Sequence, residues 1–143
     1  MTILQINKFY YPRRGAEVVM LETAKLLEAQ GHTVVPFAMR HPLNLPTPYL
    51  GSFLSEVETE GVRFNWQGLR TALRMLWSFE ARRKLARLIQ TTKPDLAHLH
   101  NIYGQISPSI LSVLRKHKIP VVMTVHDYAL MSPKHVPFDN GEI

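Results

Sequence analysis

Three short runs of β-branched and apolar residues each stop abruptly on polar ones, and this recurrence limits the possible folds more than any other feature of the chain. Thr2 to Ile6 runs into Asn7-Lys8, Asp95 to Leu99 into His100-Asn101, and Ile119-Pro120 to Val125 into His126-Asp127. Strands of a parallel α/β sheet behave this way, because ligands there bind just past the carboxyl ends of the strands. Thr33 to Ala38 reads as a further strand. From Ala16 to Gln30, Val19, Met20, Ala24 and Leu27 keep the three-to-four spacing of an amphipathic helix, with Gly31 as its stop. Strand, loop, helix and strand then make one βαβ unit of about 37 residues, close to the usual size of that motif.

The second half repeats this alternation. Ser107-Pro108 reads as a cap and first-turn pair, Ile110 to Lys116 as a helix, and Pro120 to Val125 as a strand. The fold class expected is α/β, a Rossmann-like parallel sheet with helices on both faces. Between Met39 and Trp66 the pattern dissolves: Pro42, Pro46 and Pro48 forbid a regular helix, Val57 to Phe64 suits a short strand or edge, and a connection this long is usually functional. Leu69, Leu73, Leu76, Trp77, Ala81, Leu85, Leu88 and Ile89 form a stripe at helical spacing, in one long helix or two shorter ones ending near Lys93-Pro94, and read as core packing.

A chain of 143 residues has room for one domain and one core. Its 45% hydrophobic and 20% charged residues are ordinary for a globular protein. No segment approaches the roughly 18 apolar residues of a membrane span, and the amino terminus opens on a strand rather than a signal peptide, so a cytoplasmic location is expected. The absence of cysteine excludes a disulfide framework and thiolate chemistry. The net charge of +6 is concentrated. Arg63, Arg70, Arg74, Arg82, Arg83, Lys84, Arg87 and Lys93 stand against the single acid Glu80 in that segment. Such a patch suits an anionic surface, substrate or polymer, and its bland alternative is a solvated helix face.

Chemistry concentrates at the strand ends. The loop from Lys8 to Gly15 leads into a helix amino terminus, a ready site for phosphate or carboxylate, and Gly15 permits close backbone approach. A tight turn without a ligand is the alternative, and no dinucleotide or P-loop glycine fingerprint is present. His98 and His100 share a strand face. With His126 they raise a three-histidine metal site, set against histidines hydrogen-bonded within a packed rim; no metal is expected. His126 beside Asp127 suggests a base and its orienting carboxylate, although neighbours on an extended chain point apart. No Gly-x-Ser-x-Gly elbow accompanies them.

Taken in order, these residues resemble the amino-terminal half of the retaining glycosyltransferases with the GT-B fold, often labelled group 1 or family 4. The resemblance is carried by Asn7-Lys8-Phe9-Tyr10-Tyr11-Pro12, Gly15-Ala16-Glu17, Gly31-His32-Thr33-Val34, and Met39-Arg40-His41-Pro42 with Asn44-Leu45-Pro46. It continues through Lys93-Pro94-Asp95, His98, His100-Asn101, Ser107-Pro108-Ser109-Ile110, Ile119-Pro120-Val121-Val122 and Thr124-Val125-His126-Asp127-Tyr128, and so runs along nearly the whole chain.

The resemblance implies an acceptor-side domain spanning residues 1–143, with the carboxyl-terminal nucleotide-sugar-binding domain absent from this chain. The whole enzyme would transfer a sugar from a nucleotide diphosphate donor to a glycan or lipid-linked acceptor in cell-surface polysaccharide synthesis, with retention and without a metal. It would be of hexosyl type, and the isolated domain would be inactive. His126 matches the family histidine that contacts the transferring sugar, and Asp127 shapes the same pocket. Gly15 approaches the donor, and Arg14, standing where the family carries a glycine, faces a phosphate. His100, Asn101, Tyr103 and Ser107 line the cleft or flank the acceptor. Arg70, Arg74, Arg82, Arg83 and Lys84 rest on a membrane or other anionic surface at the inner face of the membrane. The nucleotide-sugar donor and the acceptor are the expected partners, nucleic acid is not, and the exposed interdomain face invites self-association. The paired glutamates eight residues apart that the family carries in its other domain do not occur here. A stand-alone glycan- or nucleotide-binding module with the same fold is the alternative, and a nicotinamide-dependent oxidoreductase is a third class, disfavoured by the missing glycine fingerprint.

Overall fold

The computed structural model describes residues 1–56, 77–104 and 106–127. The expected Val57 to Phe64 strand, the leucine stripe before Trp77, Arg70 and Arg74 lie outside them. The described elements are β1 (Thr2–Ile6), α1 (Gly15–Ala29), β2 (Thr33–Phe37), a 3-10 turn (Leu50–Ser52), α2 (Phe79–Thr92), β3 (Leu96–Leu99), α3 (Ile110–Lys116) and β4 (Val121–Met123). The four strands form one all-parallel sheet in the order β2-β1-β3-β4. This is the expected α/β arrangement. Element ends fall within two or three residues of those expected, and Ile110 to Lys116 coincides.

Strand alternation sorts the sheet's two faces. Leu4, Ile6, Val35, Phe37, Ala97 and Leu99 pack in one cluster with Ala81, Leu85, Leu88 and Ile89 of α2 and Ile110, Val113 and Leu114 of α3. Full burial of each large aliphatic side chain there contributes about 1.5–3 kcal/mol. The apolar residues α1 buries, Met20, Leu21 and Ala24, stand outside that cluster, and α1 packs along β2, so α1 covers the opposite face.

Local signals set the helix ends. Ser78 caps α2, its Oγ accepting from Ala81 N at 3.1 Å. Lys93 closes α2 in the left-handed region at φ 46°, and Pro94 cannot continue the helix. The start of α3 differs from the Ser107-Pro108 cap expected. Ser107 takes φ 78°, a left-handed conformation that costs a non-glycine residue, so the cap position passes to Ser109 and the helix begins at Ile110. Ser109 Oγ accepts from Ser78 N at 3.2 Å, which ties the starts of α2 and α3 together.

Candidate functional site

From the central strand β1 the chain passes through α1 to β2 on one side, and β3 takes the other side. The switch point of the sheet therefore lies between the carboxyl ends of β1 and β3, where a crevice opens in folds of this kind. Asn7 forms its floor. Its fully buried side chain donates from Nδ2 to Phe9 O at 3.0 Å and to Glu17 Oε1 at 3.4 Å, and its Oδ1 accepts from Asn101 N at 3.1 Å. Lys8 N donates to Asn101 O at 3.0 Å. Glu17, itself buried, accepts from Arg14 N at 3.1 Å. One amide thus fastens the β1 loop, the β3 loop and the first turn of α1. Replacing Asn7 with leucine strands the Asn101 N–H, Phe9 carbonyl and Glu17 carboxylate partners, and is expected to cost about 2–5 kcal/mol. A shift in urea midpoint measures it, and an unchanged midpoint would show that the floor is fastened elsewhere.

Above the floor the histidines stack. His98 Nε2 meets Thr124 Oγ1 at 2.7 Å, and His100 Nδ1 meets His126 Nε2 at 2.9 Å. The rings of His98 and His100 lie 4.3 Å apart between centroids, and those of His100 and His126 lie 5.2 Å apart and nearly parallel. Burial, reinforced by the neighbouring rings of His98 and His126, pushes the pKa of His100 down to about 3, and burial with His126 also lowers that of His98. Among the described residues no three histidine or carboxylate groups converge as ligands for a metal ion.

Asp127 faces the other strand loops. Its charge acts on Lys8, whose pKa burial lowers against the pull of Asp127 and Glu17, and on Tyr103, whose pKa is raised by burial and then by Asp127. Arg14 and Gly15 sit exposed at the amino end of α1. A Cβ built on Gly15 meets nothing within 4 Å and its φ lies outside the left-handed region, so no tight turn demands glycine there.

Two sequence-based assignments need correction. His100 does not line the cleft: it is fully buried just past the end of β3, beneath the stacked ring of His126, to which its Nδ1 is turned. Ser107 does not flank an acceptor: it too is fully buried, its Oγ meeting Ser109 Oγ at 3.1 Å in the turn into α3. Asn101 and Tyr103 remain partly exposed at the rim.

The basic residues on α2 divide. Lys84 pairs with Glu80 at 3.1 Å and donates to Phe53 O. Burial alone would raise the Glu80 carboxyl, but hydrogen bonds from Ser55 and Lys84 hold it at about 2. Arg82 lies over the Trp77 ring at 4.7 Å. Arg83 and Arg87 are exposed, and with Phe79, 74% exposed, they follow one another at four-residue spacing along one helix face.

Sequence reasoning missed two features. Gln5 is buried in the middle of β1, opposite His98 in register, with neither amide atom partnered among the described residues. The apolar reading of the strand concealed it. An open cleft of about 440 Å³ also lies beyond β2, lined by Arg40, His41, Pro42, Asn44, Leu50, Gly51 and Glu56. His41 stacks on Tyr11 at 4.6 Å and Asn44 Oδ1 accepts from Tyr10 N at 3.3 Å, which docks this loop on the β1 loop. The long proline-rich connection was the signal available for it.

The sequence pattern of glycosyltransferase family 4 matches residues 13–142, from the β1 loop past His126 and Asp127. The chain belongs to glycosyltransferase family 4. This family 4 domain is 28% identical over 155 aligned residues to an uncharacterized 42.6 kDa protein in a cps region of Klebsiella pneumoniae. The alignment takes in 99% of this chain and 40% of that relative, so the chain spans well under half of the protein it matches. No helix among the described residues of the family 4 domain is long and apolar enough to cross a membrane.

Proposed function

We propose that these residues form the acceptor-side domain of a retaining, hexosyl-type glycosyltransferase that works without a metal on the cytoplasmic side of a membrane. The observation that carries the reading is that Asp127, next to His126 on the segment that follows β4, lies within electrostatic reach of Lys8 in the loop that leads into α1, beside the sheet's switch point and within a family 4 domain. The bond between the anomeric carbon and the diphosphate breaks, and a bond to an acceptor oxygen forms on the same face. His126 donates a hydrogen bond to the transferring sugar and Asp127 shapes its pocket. Gly15 lets the donor approach the free N–H groups of α1, with Arg14 and Lys8 adding positive charge. The acceptor, a glycan or lipid-linked sugar of cell-surface polysaccharide, lies past Asn101 and Tyr103 toward the cleft at Arg40 and His41. The cps region of the Klebsiella relative supports that acceptor class. A second domain holds the nucleotide and supplies most of the electrostatic stabilisation of the leaving diphosphate.

Calorimetric titration with UDP, GDP and their sugar conjugates, with turnover assays, tests this on the 143 residues and on the full-length gene product. Tight donor binding and sugar transfer by the full-length protein, and neither by the 143 residues, is the expected pattern. Specific nucleotide-sugar binding by the 143 residues without transfer in either form would make the domain a binding module instead.

The face of α2 carrying Phe79, Arg83 and Arg87 is the part of the basic segment we assign to an anionic surface. At about 1 kcal/mol per charge near such a surface, Arg83→Ser with Arg87→Ser is expected to weaken binding to anionic vesicles about ten- to thirty-fold at low salt. Equal binding by the double variant would remove the face from that role.

A further inference from the structure

Two imidazoles joined through ring nitrogens must settle which of them donates, so the His100 to His126 contact fixes the chemistry of the outer ring once the inner ring's state is known. His100 is fully enclosed, and burial beside two other imidazoles keeps it neutral, with a single N–H. With that hydrogen on Nδ1, His100 donates to His126 Nε2 and its own buried Nε2 keeps a bare lone pair. With it on Nε2, His126 must donate inward, and a buried N–H is left with no acceptor among the described residues. Sealing an N–H away from water without an acceptor forfeits its whole hydration, and such orphans are the rarer kind in folded proteins. The first arrangement is therefore the more stable.

We propose that His100 is a positioning residue that donates from Nδ1 to His126 Nε2 and locks His126 as its Nδ1–H tautomer. The outer ring then offers a hydrogen-bond donor to a substrate oxygen, a sugar hydroxyl or a phosphate oxygen, and has no basic nitrogen free to accept a proton. A histidine side chain in water prefers the opposite, Nε2–H tautomer, so the lock sets the polarity of the site. The ring of His98, held by Thr124 and packed 4.3 Å from that of His100, keeps the inner ring in plane for the contact. The choice of a substrate oxygen as ligand rests on the glycosyl-transfer reading; the tautomer does not.

Long-range proton–nitrogen spectra of the full-length protein labelled with nitrogen-15 at histidine read the tautomers directly near neutral pH. In the unaltered protein His100 and His126 are both expected to carry hydrogen on Nδ1 alone. His100→Asn keeps an amide donor in nearly the same place and is expected to preserve the His126 signature. His100→Leu has no donor and is expected to return His126 to the Nε2–H form. Hydrogen on Nε2 of either ring in the unaltered protein overturns the proposal, and that spectrum decides the matter even where the leucine variant fails to fold. Turnover is read in parallel, with retention expected for His100→Asn and at least a tenfold loss of kcat for His100→Leu. The expected tautomers without any sugar transfer would refute the functional reading alone, and reversed tautomers in an active enzyme would refute the lock alone.

Discussion

Replacing His126 with alanine is expected to lower kcat of the full-length enzyme by about 10²–10³-fold, the loss typical when one preorganised donor at developing charge is removed. The variant also leaves His100 Nδ1 without its 2.9 Å partner, so a drop in stability of about 1–3 kcal/mol accompanies the loss of rate. Assays well below the unfolding temperature separate the two. Two amide replacements sharpen the expectation: His126→Asn places a donor near the former Nδ1 position and should retain more activity than His126→Gln, whose donor falls near Nε2. An alanine variant within a few-fold of the parent rate would mean that His126 does not touch the reacting sugar.

Acid is expected to weaken the fold before the carboxylates titrate. In the unfolded chain His100 has the ordinary histidine pKa of 6.5, and in the folded protein burial and its two neighbours hold it at about 3. Between those values the unfolded state binds more protons, so stability is fully present above about pH 6.5 and falls as pH drops toward 3. At 1.36 kcal/mol per pH unit, the loss by about pH 5 is about 2 kcal/mol, and His98 adds to it in the same direction. Urea midpoints measured from about pH 7 to about pH 5 should show this slope, and His100→Asn should flatten most of it. A parent protein with no slope in that interval would mean that His100 is not held neutral by its surroundings.

The sheet was legible because β1, β2, β3 and β4 are apolar or β-branched runs separated by helical spacing, a pattern that parallel strands covered by helices produce, although the edge strand β4 is itself largely exposed. The site was legible in part for the same reason: a strand that stops just before His126-Asp127 places both past the carboxyl edge. Depth was not. Whether a histidine at a strand end lines a cleft or lies beneath another histidine depends on how far the neighbouring strand extends, and the diagonal contact from His100 to His126 arises from a register that one strand alone does not reveal. Ser107-Pro108 misled because the pair is a good helix start in isolation, whereas the chain spends the serine on a left-handed turn and a bond to Ser109. Asn7 stood out as polar at a strand end, yet its three partners lie on three different segments, a relation that only the tertiary structure supplies.

The position of β1 in the interior of the sheet has a consequence for how the protein is made. β1 meets β2 soon after both have left the ribosome, but its other neighbour is far away: Thr2 N bonds to the Asp95 carboxylate across 93 residues. At about 5–20 residues per second the stretch between β2 and β3 takes roughly 3–12 s to emerge. During that time the nascent βαβ unit carries an unsatisfied strand edge that must neither pair with another chain nor be captured by the wrong strand. Translation speed through the basic segment between β2 and β3 therefore sets how long the growing chain is open to misassembly.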